Sequence, residues 1–289
     1  MQIQADFGLS HQSAAYELQF ESDDPPYLIL NSRRGGLKWD GQAISGYQLI
    51  ENDTRVYLYL VPDELPIQVS ALMDGALAEA VSAEGQNACL VLKFPGGNRM
   101  IGVRYGISFI DEEQARENME RETNGKTVAD LQSLAREIWN DALGKIKIKG
   151  GTTDEKTVFY TSLYRCFERP VCISEDGRYY SAFDGQVHDD LGRPFYTDDW
   201  IWDSYRAHHP LRILIDSEIE EDILHSFVLM AEQMDNFWMP TFPEITGDSR
   251  RMNSNHGVAS VIDVYRKGLR NFDLEKAYEA SKLAITEKT

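Results

Sequence analysis

The amino-acid sequence predicts an antiparallel β-sandwich followed by a helical domain, and three observations support this order. Short runs of alternating apolar and polar residues, separated by Gly, Pro and Asp turns, fill residues 1–110. A helical periodicity begins at Asp111 and continues to the end of the chain. The later helices are similar in length and are separated by loops with aromatic and polar residues, which is typical of a bundle or barrel built from helical hairpins.

Four segments in the first region have the alternation of β-strands. They are Tyr16–Phe20, Val56–Val61, Cys89–Phe94 and Met100–Ile107. Turn sequences such as Asp23–Pro26 and Pro95–Asn98 separate them. Several short strands with this punctuation favour an antiparallel sandwich.

A helical linker follows the strands. One helix starts near Asp111 and breaks at Asn124–Gly125, and a second starts at Thr127 or Asp130 and stops at Gly144. The apolar stripe of the second helix, which includes Leu131, Leu134 and Ile138, predicts a packed face. The alternating run Lys145–Lys149 predicts a short strand that closes the connection. We therefore divide the chain into a sandwich portion (1–110), a helical linker (111–151) and a helical domain (152–289).

Everything after Thr152 is expected to be helix and loop. The expected helices are Asp154–Glu168, Asp198–Leu214 with Pro210 kinking or dividing it, one starting after Asp216–Ser217, one at Asn255–Lys267 that Gly268 terminates, and a last one from Asp273.

The composition limits the classes of partner. Asp and Glu total 47 against 29 Lys and Arg, so the formal net charge is −18. This balance argues against nucleic acid or an anionic membrane surface, and it is compatible with a neutral ligand such as a sugar. No apolar run reaches the length of a membrane span, and the first residues lack the features of a signal peptide. The three cysteines have no metal-ligand spacing and are read as small apolar residues.

The segment Asp198–Leu214 concentrates the chemistry of the chain. An indole at Trp202 beside Asp203 and Arg206 suits a polyhydroxylated ligand, because the ring covers C–H surface while charged groups bind hydroxyls. Helical spacing would place Trp202, Arg206 and His209 on one face, with Asp198 or Asp199 as the cap. The alternative is a structural helix with a buried Trp and an Asp203–Arg206 surface pair.

Several segments resemble glycoside hydrolase family 92, the calcium-dependent exo-acting α-mannosidases. In chain order they are Gly106–Ile110 with Glu113–Ala115 and Asn118, Ile138–Asn140 with Leu143–Ile146, Phe159–Arg165, Tyr180–Gly185, Trp202–Arg206 with His209–Leu211, and His256–Ala259 with Val261–Asp263. Their order and spacing match the family from about residue 50 to the end.

The resemblance implies a β-sandwich followed by an (α/α)6 barrel, and hydrolysis of terminal α-mannosides, of α-1,2 type, with inversion. It implies a mannose-containing glycan as ligand and a calcium ion that binds the sugar, most of whose ligands are not in this chain. Family members are typically secreted or periplasmic, and the sequence does not locate this chain. The segments that carry the family's catalytic acid and base are expected downstream of Thr289, so the chain alone is expected to be inactive.

The resemblance also implies site residues. Trp202 and Asp203 would hold the terminal mannose, and Arg206 would orient Asp203. Trp238 would supply an aromatic contact, unless Phe242 occupies that position instead. His256 either contacts ligand or is structural, since the run Met252–His256 departs from the family pattern. No metal ligand is assigned.

Two interpretations remain at this level. The chain is a portion of an α-mannosidase, or it is a non-catalytic carbohydrate-binding or structural protein that kept the scaffold. A half-built helical barrel would expose apolar faces, so association into a homo-oligomer is expected.

Overall fold

The computed structural model describes residues 3–73, 75–97, 99–252 and 254–287. These residues form two compact units that divide between Asn140 and Asp141. We call them the sheet unit and the helical unit. Our finer division of the sequence at residues 110 and 151 stays a prediction.

The sheet unit contains nine strands in one antiparallel sheet. They are β1 (Ile3–Leu9), β2 (Ser13–Phe20), β3 (Tyr27–Trp39), β4 (Ile44–Leu49), β5 (Arg55–Pro62), β6 (Gln68–Met73), β7 (Ala76–Ala78), β8 (Ser82–Lys93) and β9 (Arg99–Ser108). Their order across the sheet is β1-β2-β9-β5-β4-β3-β8-β6-β7. All four strands expected from alternation are confirmed within longer strands, except that β8 ends at Lys93, one residue before the expected Phe94.

One hydrophobic cluster joins seven of these strands. Its largest fully buried side chains include Ile44, Leu90, Leu92 and Ile101, and Phe94 adds a ring just beyond β8. The long strands β3 and β8 pair over most of their length, from Tyr27 opposite Lys93 to Lys38 opposite Ser82. Alternate residues of a strand point to the same face of a sheet, so the apolar residues of these strands gather on one face of this sheet.

Helix α1 (Glu112–Thr123) packs on this sheet against Gly106 of β9. It begins after Asp111, close to the predicted start, and the Asp111 side chain caps it by accepting a hydrogen bond from the Gln114 backbone. The buried amide of Asn118 donates to the carbonyl of Ile107 on β9 at 3.0 Å. Asn118, which carries part of the family resemblance, therefore ties the helix to the sheet, and Gln114 supports it by donating to its side-chain oxygen at 3.0 Å.

Helix α2 (Val128–Gly144) differs from expectation. Val128 and Leu131 pack against Ala15, but Leu134 and Ile138 remain exposed in the described structure. The expected packed stripe is therefore wrong beyond the first turn. The strand expected at residues 145–149 is also wrong, since those residues form a turn and an irregular connection.

The helical unit contains six helices and three small two-stranded sheets among its described residues. The helices are α3 (Thr153–Arg165), α4 (Ile201–Ser204), α5 (His208–Ile215), α6 (Ser217–Gln233), α7 (His256–Arg266) and α8 (Leu274–Thr286). The strands pair as β10 (Val171–Cys172) with β13 (Tyr196–Thr197), β11 (Arg178–Ser181) with β12 (Gln186–Asp189), and β14 (Pro243–Glu244) with β15 (Gly247–Asp248). The expectation of helix and loop alone is wrong, because strands of only two to four residues are too short to show a period in the sequence. None of the described helices is long and apolar enough to cross a membrane.

Helix α6 forms the centre of the helical unit. It buries Ile223, Leu224, Phe227 and Met230 and contacts α5, α7 and α8. Opposite it, α8 presents small side chains, with Ala277 and Ala280 fully buried. The expected amphipathic helix after Asp216 is confirmed, as are the helices of the last 35 residues.

The helix expected over Asp198–Leu214, with Pro210 kinking or dividing it, is divided at another place and begins only at Ile201. The chain forms α4, leaves helical geometry around Ala207, and restarts as α5. Pro210 does not make this break. It lies in the first turn of α5, where its missing N–H would have no partner within the helix.

Gly106 allows α1 to approach β9 closely. A Cβ there would overlap the backbone oxygen of Ala115 and would lie 2.8 Å from the Met119 nitrogen, whereas a Cβ at Gly144 on α2 would meet nothing within 4 Å. We expect Gly106→Ala to lower the free energy of unfolding by ~1–3 kcal/mol through overpacking. The matched change Gly144→Ala should be neutral or stabilise by up to ~1 kcal/mol. Urea denaturation of both variants measures this, and equal effects would contradict the close approach.

Candidate ligand-binding site

The short helix α4 presents two of the predicted site residues outward. Trp202 is 49% exposed and Asp203 is also exposed, while their neighbours Ile201 and Ser204 are buried. Within the described ranges the Asp203 carboxylate has no hydrogen bond or ion pair. An indole and an uncommitted carboxylate therefore stand side by side on the surface of the helical unit.

Arg206 does not orient Asp203, contrary to expectation. Its guanidinium donates to the phenolic oxygen of Tyr205 at 3.1 Å and lies 5.7 Å from the centre of that ring. The break after α4 separates the two residues, so the expected Asp203–Arg206 pair does not form in the described structure. The arginine instead belongs to an aromatic cluster.

His256 completes this cluster at the start of α7. Its ring stacks on Tyr205 with centroids 4.0 Å apart, and Ser254 contacts its Nδ1. Burial and the nearby Arg206 charge lower the pKa of His256, so the ring is neutral near pH 7. The structure thus brings Arg206 and His256 together through a tyrosine that sequence reasoning missed. Asn253, in the run that departs from the family pattern, lies outside the described residues.

Trp238 is a half-buried ring that is available on one side. The Arg250 guanidinium lies 5.1 Å from its centre, and its buried indole N–H finds no acceptor among the described residues. The alternative candidate, Phe242, is only 5% exposed and stacks against Trp200. Of the two aromatic residues, Trp238 has the greater surface to offer a ligand.

A second aromatic and ionic group adjoins α4 and was not anticipated. The Arg169 guanidinium lies 3.9 Å from the centre of the Trp200 ring and pairs with Asp198. Burial raises the pKa of Asp198, and the Arg169 charge opposes that rise. Asp198 is therefore an ion-pair partner and not a helix cap. Arg169 is too distant in sequence for any local pattern to indicate this contact.

Asp199 is likewise not a cap. Its carboxylate is fully buried, accepts a hydrogen bond from Ser204 Oγ at 2.6 Å and lies 3.0 Å from His209 Nε2. On its other side, His209 Nδ1 lies 2.8 Å from Glu220 at the start of α6. His209 is therefore not on an exposed face with Trp202, as helical spacing suggested, but is 1% exposed between two carboxylates.

Electrostatics fix the charge state of this buried group. Burial alone would lower the pKa of His209, but attraction to Asp199 and Glu220 and the hydrogen bonds with them raise it to about 10. Burial would raise the pKa of Asp199, yet the His209 charge and hydrogen bonds hold it below its ordinary value. The neighbouring His208 has its pKa lowered to about 4 by burial and by Arg212. His209 is therefore an imidazolium at neutral pH, and His208 is neutral.

The described residues do not form a metal site. No three His, Cys, Asp or Glu side chains in the described part of the chain converge as ligands for an ion. Calcium prefers six to eight oxygen ligands, so these residues do not fit a complete calcium site, and we derive no chemical step through calcium.

A comparison with known protein families identifies the family of this chain. The model of the glycosyl hydrolase family 92 catalytic domain matches residues 114–289. The chain belongs to this family. No curated protein sequence matches it.

Solved family 92 structures share the fold of this chain. A family GH92 α-mannosidase from Bacteroides thetaiotaomicron, also solved in complex with mannoimidazole, superimposes with a TM-score of 0.91 at 22% identity over 98% of this chain. A family GH92 inverting mannosidase of the same organism has a TM-score of 0.87 at 27% identity over 96%. This chain spans only 41% and 39% of those two chains. The matches confirm the predicted fold class, a partial β-sandwich followed by helices of a partial α/α barrel.

The buried imidazolium predicts how stability depends on pH. The pKa of His209 is about 10 in the folded chain and about 6.5 when unfolded. Its stabilisation is therefore complete below about pH 6.5 and is lost as the pH rises towards 10. Across this window the free energy of unfolding should fall by up to ~1.4 kcal/mol per pH unit. Urea denaturation at several pH values measures the slope.

The surface pair His188–Asp184, 2.8 Å apart, gives a matched control. His188→Gln should keep the slope. Glu220→Gln should remove one of the two carboxylates that raise the pKa of His209, so that the loss of stability is complete at a lower pH. A wild-type stability that is constant between pH 7 and 9.5 would show that His209 is not held as a cation.

Proposed function

We propose that this chain is a portion of an exo-acting, inverting α-mannosidase, and that its helical unit supplies residues that bind a terminal α-mannoside of α-1,2 type. The observation that carries this proposal is the exposed, uncommitted carboxylate of Asp203 beside the exposed Trp202 ring, in a member of family 92. The mannoimidazole complex of one structural relative supports a mannose-configured ligand.

The chemistry of α4 fits a sugar. A pyranose presents C–H surface on one side, which an indole covers, and hydroxyl groups at its rim, which a carboxylate accepts as charge-assisted hydrogen bonds. Asp203 has no protein partner to compete with those hydroxyls among the residues described. Trp202 gives the flat contact, and Asp203 gives the polar one.

The cluster of Tyr205, Arg206 and His256 forms a second wall in this proposal. Arg206 is tied to Tyr205 and not to Asp203, so its guanidinium has donors left for ligand hydroxyls. His256, neutral near pH 7, can donate or accept one hydrogen bond. Trp238 adds an aromatic contact whose indole N–H has no described acceptor, which a sugar oxygen would satisfy.

Inverting hydrolysis needs two carboxyl groups about 6.5–9.5 Å apart, an acid for the leaving oxygen and a base for water. We assign neither group to a described residue. One solved relative is described as an inverting mannosidase, at 27% identity, which supports inversion in the proposal. Calcium dependence is part of the same proposal through family membership, although the described residues do not assemble a site for the ion.

Asp203 provides the most direct test. Asp203→Ala should weaken binding of methyl α-mannoside to the chain by about tenfold to a hundredfold, because a hydrogen bond to a charged group contributes ~1.5–3 kcal/mol. The free energy of unfolding should change by less than ~0.5 kcal/mol, since the carboxylate is exposed. Ligand-observed NMR titration and urea denaturation on the same variant measure both quantities.

Asp141→Ala, which removes an exposed aspartate on α2, should change neither quantity. Methyl α-glucoside, which differs from the mannoside at C2, should bind more weakly to the unmodified chain. Mannoside affinity that Asp203→Ala leaves intact would remove Asp203 from the site, and equal binding of the two sugars would contradict a preference for mannose. No detectable binding of either sugar would contradict the proposal that the chain itself supplies a sugar site.

We also propose that copies of the chain associate through an apolar groove on α7 and α8. The groove has a volume of about 580 Å³ and exposes Ile262, Tyr278 and Ile285. Tyr278→Glu should shift the mass measured by light scattering towards the monomer, whereas Leu191→Glu, which changes an exposed leucine outside the groove, should not. The net charge of −18 opposes association, so salt should strengthen it. A monomer at every protein concentration and salt concentration would overturn this proposal.

A further inference from the structure

We propose that His209 is a positioning residue, which holds the short helix α4 through Asp199 and so sets the orientation of Trp202 and Asp203. The inference rests on the proposed function for the identity of the ligand. Its geometry stands on contacts within the helical unit, and the experiment below separates the two.

Helix α4 cannot hold its own orientation. It consists of four residues, which is a single turn, and its cap residue Trp200 makes no side-chain capping hydrogen bond. Isolated helices of this length are unstable because nucleation fixes several dihedral angles for one hydrogen bond. The conformation of α4 therefore depends on the groups that its inward side contacts.

Those groups are few and include one directional contact. Ile201 and Ser204 point inward, and the Ser204 hydroxyl donates to Asp199 at 2.6 Å. Asp199 precedes the helix and Ser204 ends it, so this hydrogen bond closes a ring around the single turn. Apolar burial of Ile201 adds attraction but no direction. On its inward side the turn is therefore anchored by the Asp199 carboxylate, while the Trp200–Phe242 and Tyr205–His256 contacts hold its two ends.

His209 holds that carboxylate from the opposite side. Its Nε2 lies 3.0 Å from Asp199, and its Nδ1 lies 2.8 Å from Glu220. A carboxylate oxygen lies within 3.0 Å of each ring nitrogen, so the imidazole is held between two buried acids. Glu220 belongs to α6, the central helix of the unit, so the chain of contacts runs from the core through His209 to α4.

The same contacts set the orientation of the two residues on the outward side of α4. Trp202 and Asp203 lie between Ile201 and Ser204 in a single turn, so fixing the inner pair fixes the outer pair. An apolar residue at position 209 could fill the same space, yet it could not bind Asp199 in one orientation. The two ion pairs of His209, with Asp199 at 3.0 Å and with Glu220 at 2.8 Å, fix where the Asp199 carboxylate lies.

The experiment uses the 289-residue chain labelled with 5-fluorotryptophan and observed by fluorine NMR. The chain has five tryptophans, whose resonances are assigned with single Trp→Phe variants. The test variants are His209→Gln and Ser204→Ala, and the control is His188→Gln on the exposed His188–Asp184 pair. Trp39 and Trp139, which belong to the sheet unit, report whether the rest of the chain is unchanged.

We expect both test variants to shift or broaden the Trp202 resonance while Trp39 and Trp139 keep their positions. His188→Gln should leave all five resonances in place. Ser204→Ala removes only one hydroxyl, so it still tests the positioning role of His209 if His209→Gln fails to fold. An unchanged Trp202 resonance in folded Ser204→Ala, or in folded His209→Gln, would overturn the proposal.

Binding of methyl α-mannoside to the same samples separates this inference from the proposed function. If both are right, Ser204→Ala should shift Trp202 and weaken the sugar by about tenfold, the loss of roughly one well-placed hydrogen bond. A shifted Trp202 with no sugar binding to the unmodified chain would contradict the proposed function alone. Weakened sugar binding with an unshifted Trp202 would contradict the positioning role alone.

Discussion

The arrangement of α4, α5 and α6 depends on one buried positive charge, the imidazolium of His209. Removing a charge from water costs several kcal/mol, and the cost is recovered only where paired groups have good geometry. Here two buried carboxylates, Asp199 and Glu220, provide that geometry on opposite sides of the ring. The three helices can meet only in the arrangement that keeps both contacts, because a displaced helix would leave a buried charge unpaired.

This constraint explains why Asp199 and Asp203, which are four residues apart, have different environments. Asp199 is fully buried and committed to His209 and Ser204, whereas Asp203 is exposed and has no described partner. Residue type does not distinguish them, and from the sequence Asp199 is a candidate helix cap and Asp203 a candidate ligand contact. The difference arises because α4 has one inward side, which Asp199 joins, and one outward side, which carries Asp203 together with Trp202.

Sequence patterns predicted the elements whose stability is local or periodic. The strands around Val56–Val61 and Cys89–Phe94 alternate, and α6 and α8 have apolar stripes and acidic first turns, so they were found. The helix over Asp198–Leu214 was placed wrongly because its residues favour helix while long-range contacts decide its path: His209 lies between Asp199 and Glu220, which are 21 residues apart in the sequence. Arg169 and Trp200 are likewise joined only in space.

The residues in the segments that resemble the family are of two kinds. Contacts within the chain account for some of them and not for others. Asn118 ties α1 to β9, and His209 links helices, so each is explained by contacts within the chain. Trp202 and Asp203 come from the same set of segments, yet no described internal contact accounts for the Asp203 carboxylate, and half of the indole faces solvent. A residue whose chemistry is unused inside the protein is available for a ligand. The proposed sugar site therefore uses polar and aromatic groups on α4 that have no partner within the described chain. The residues beneath α4 have such partners and form its scaffold.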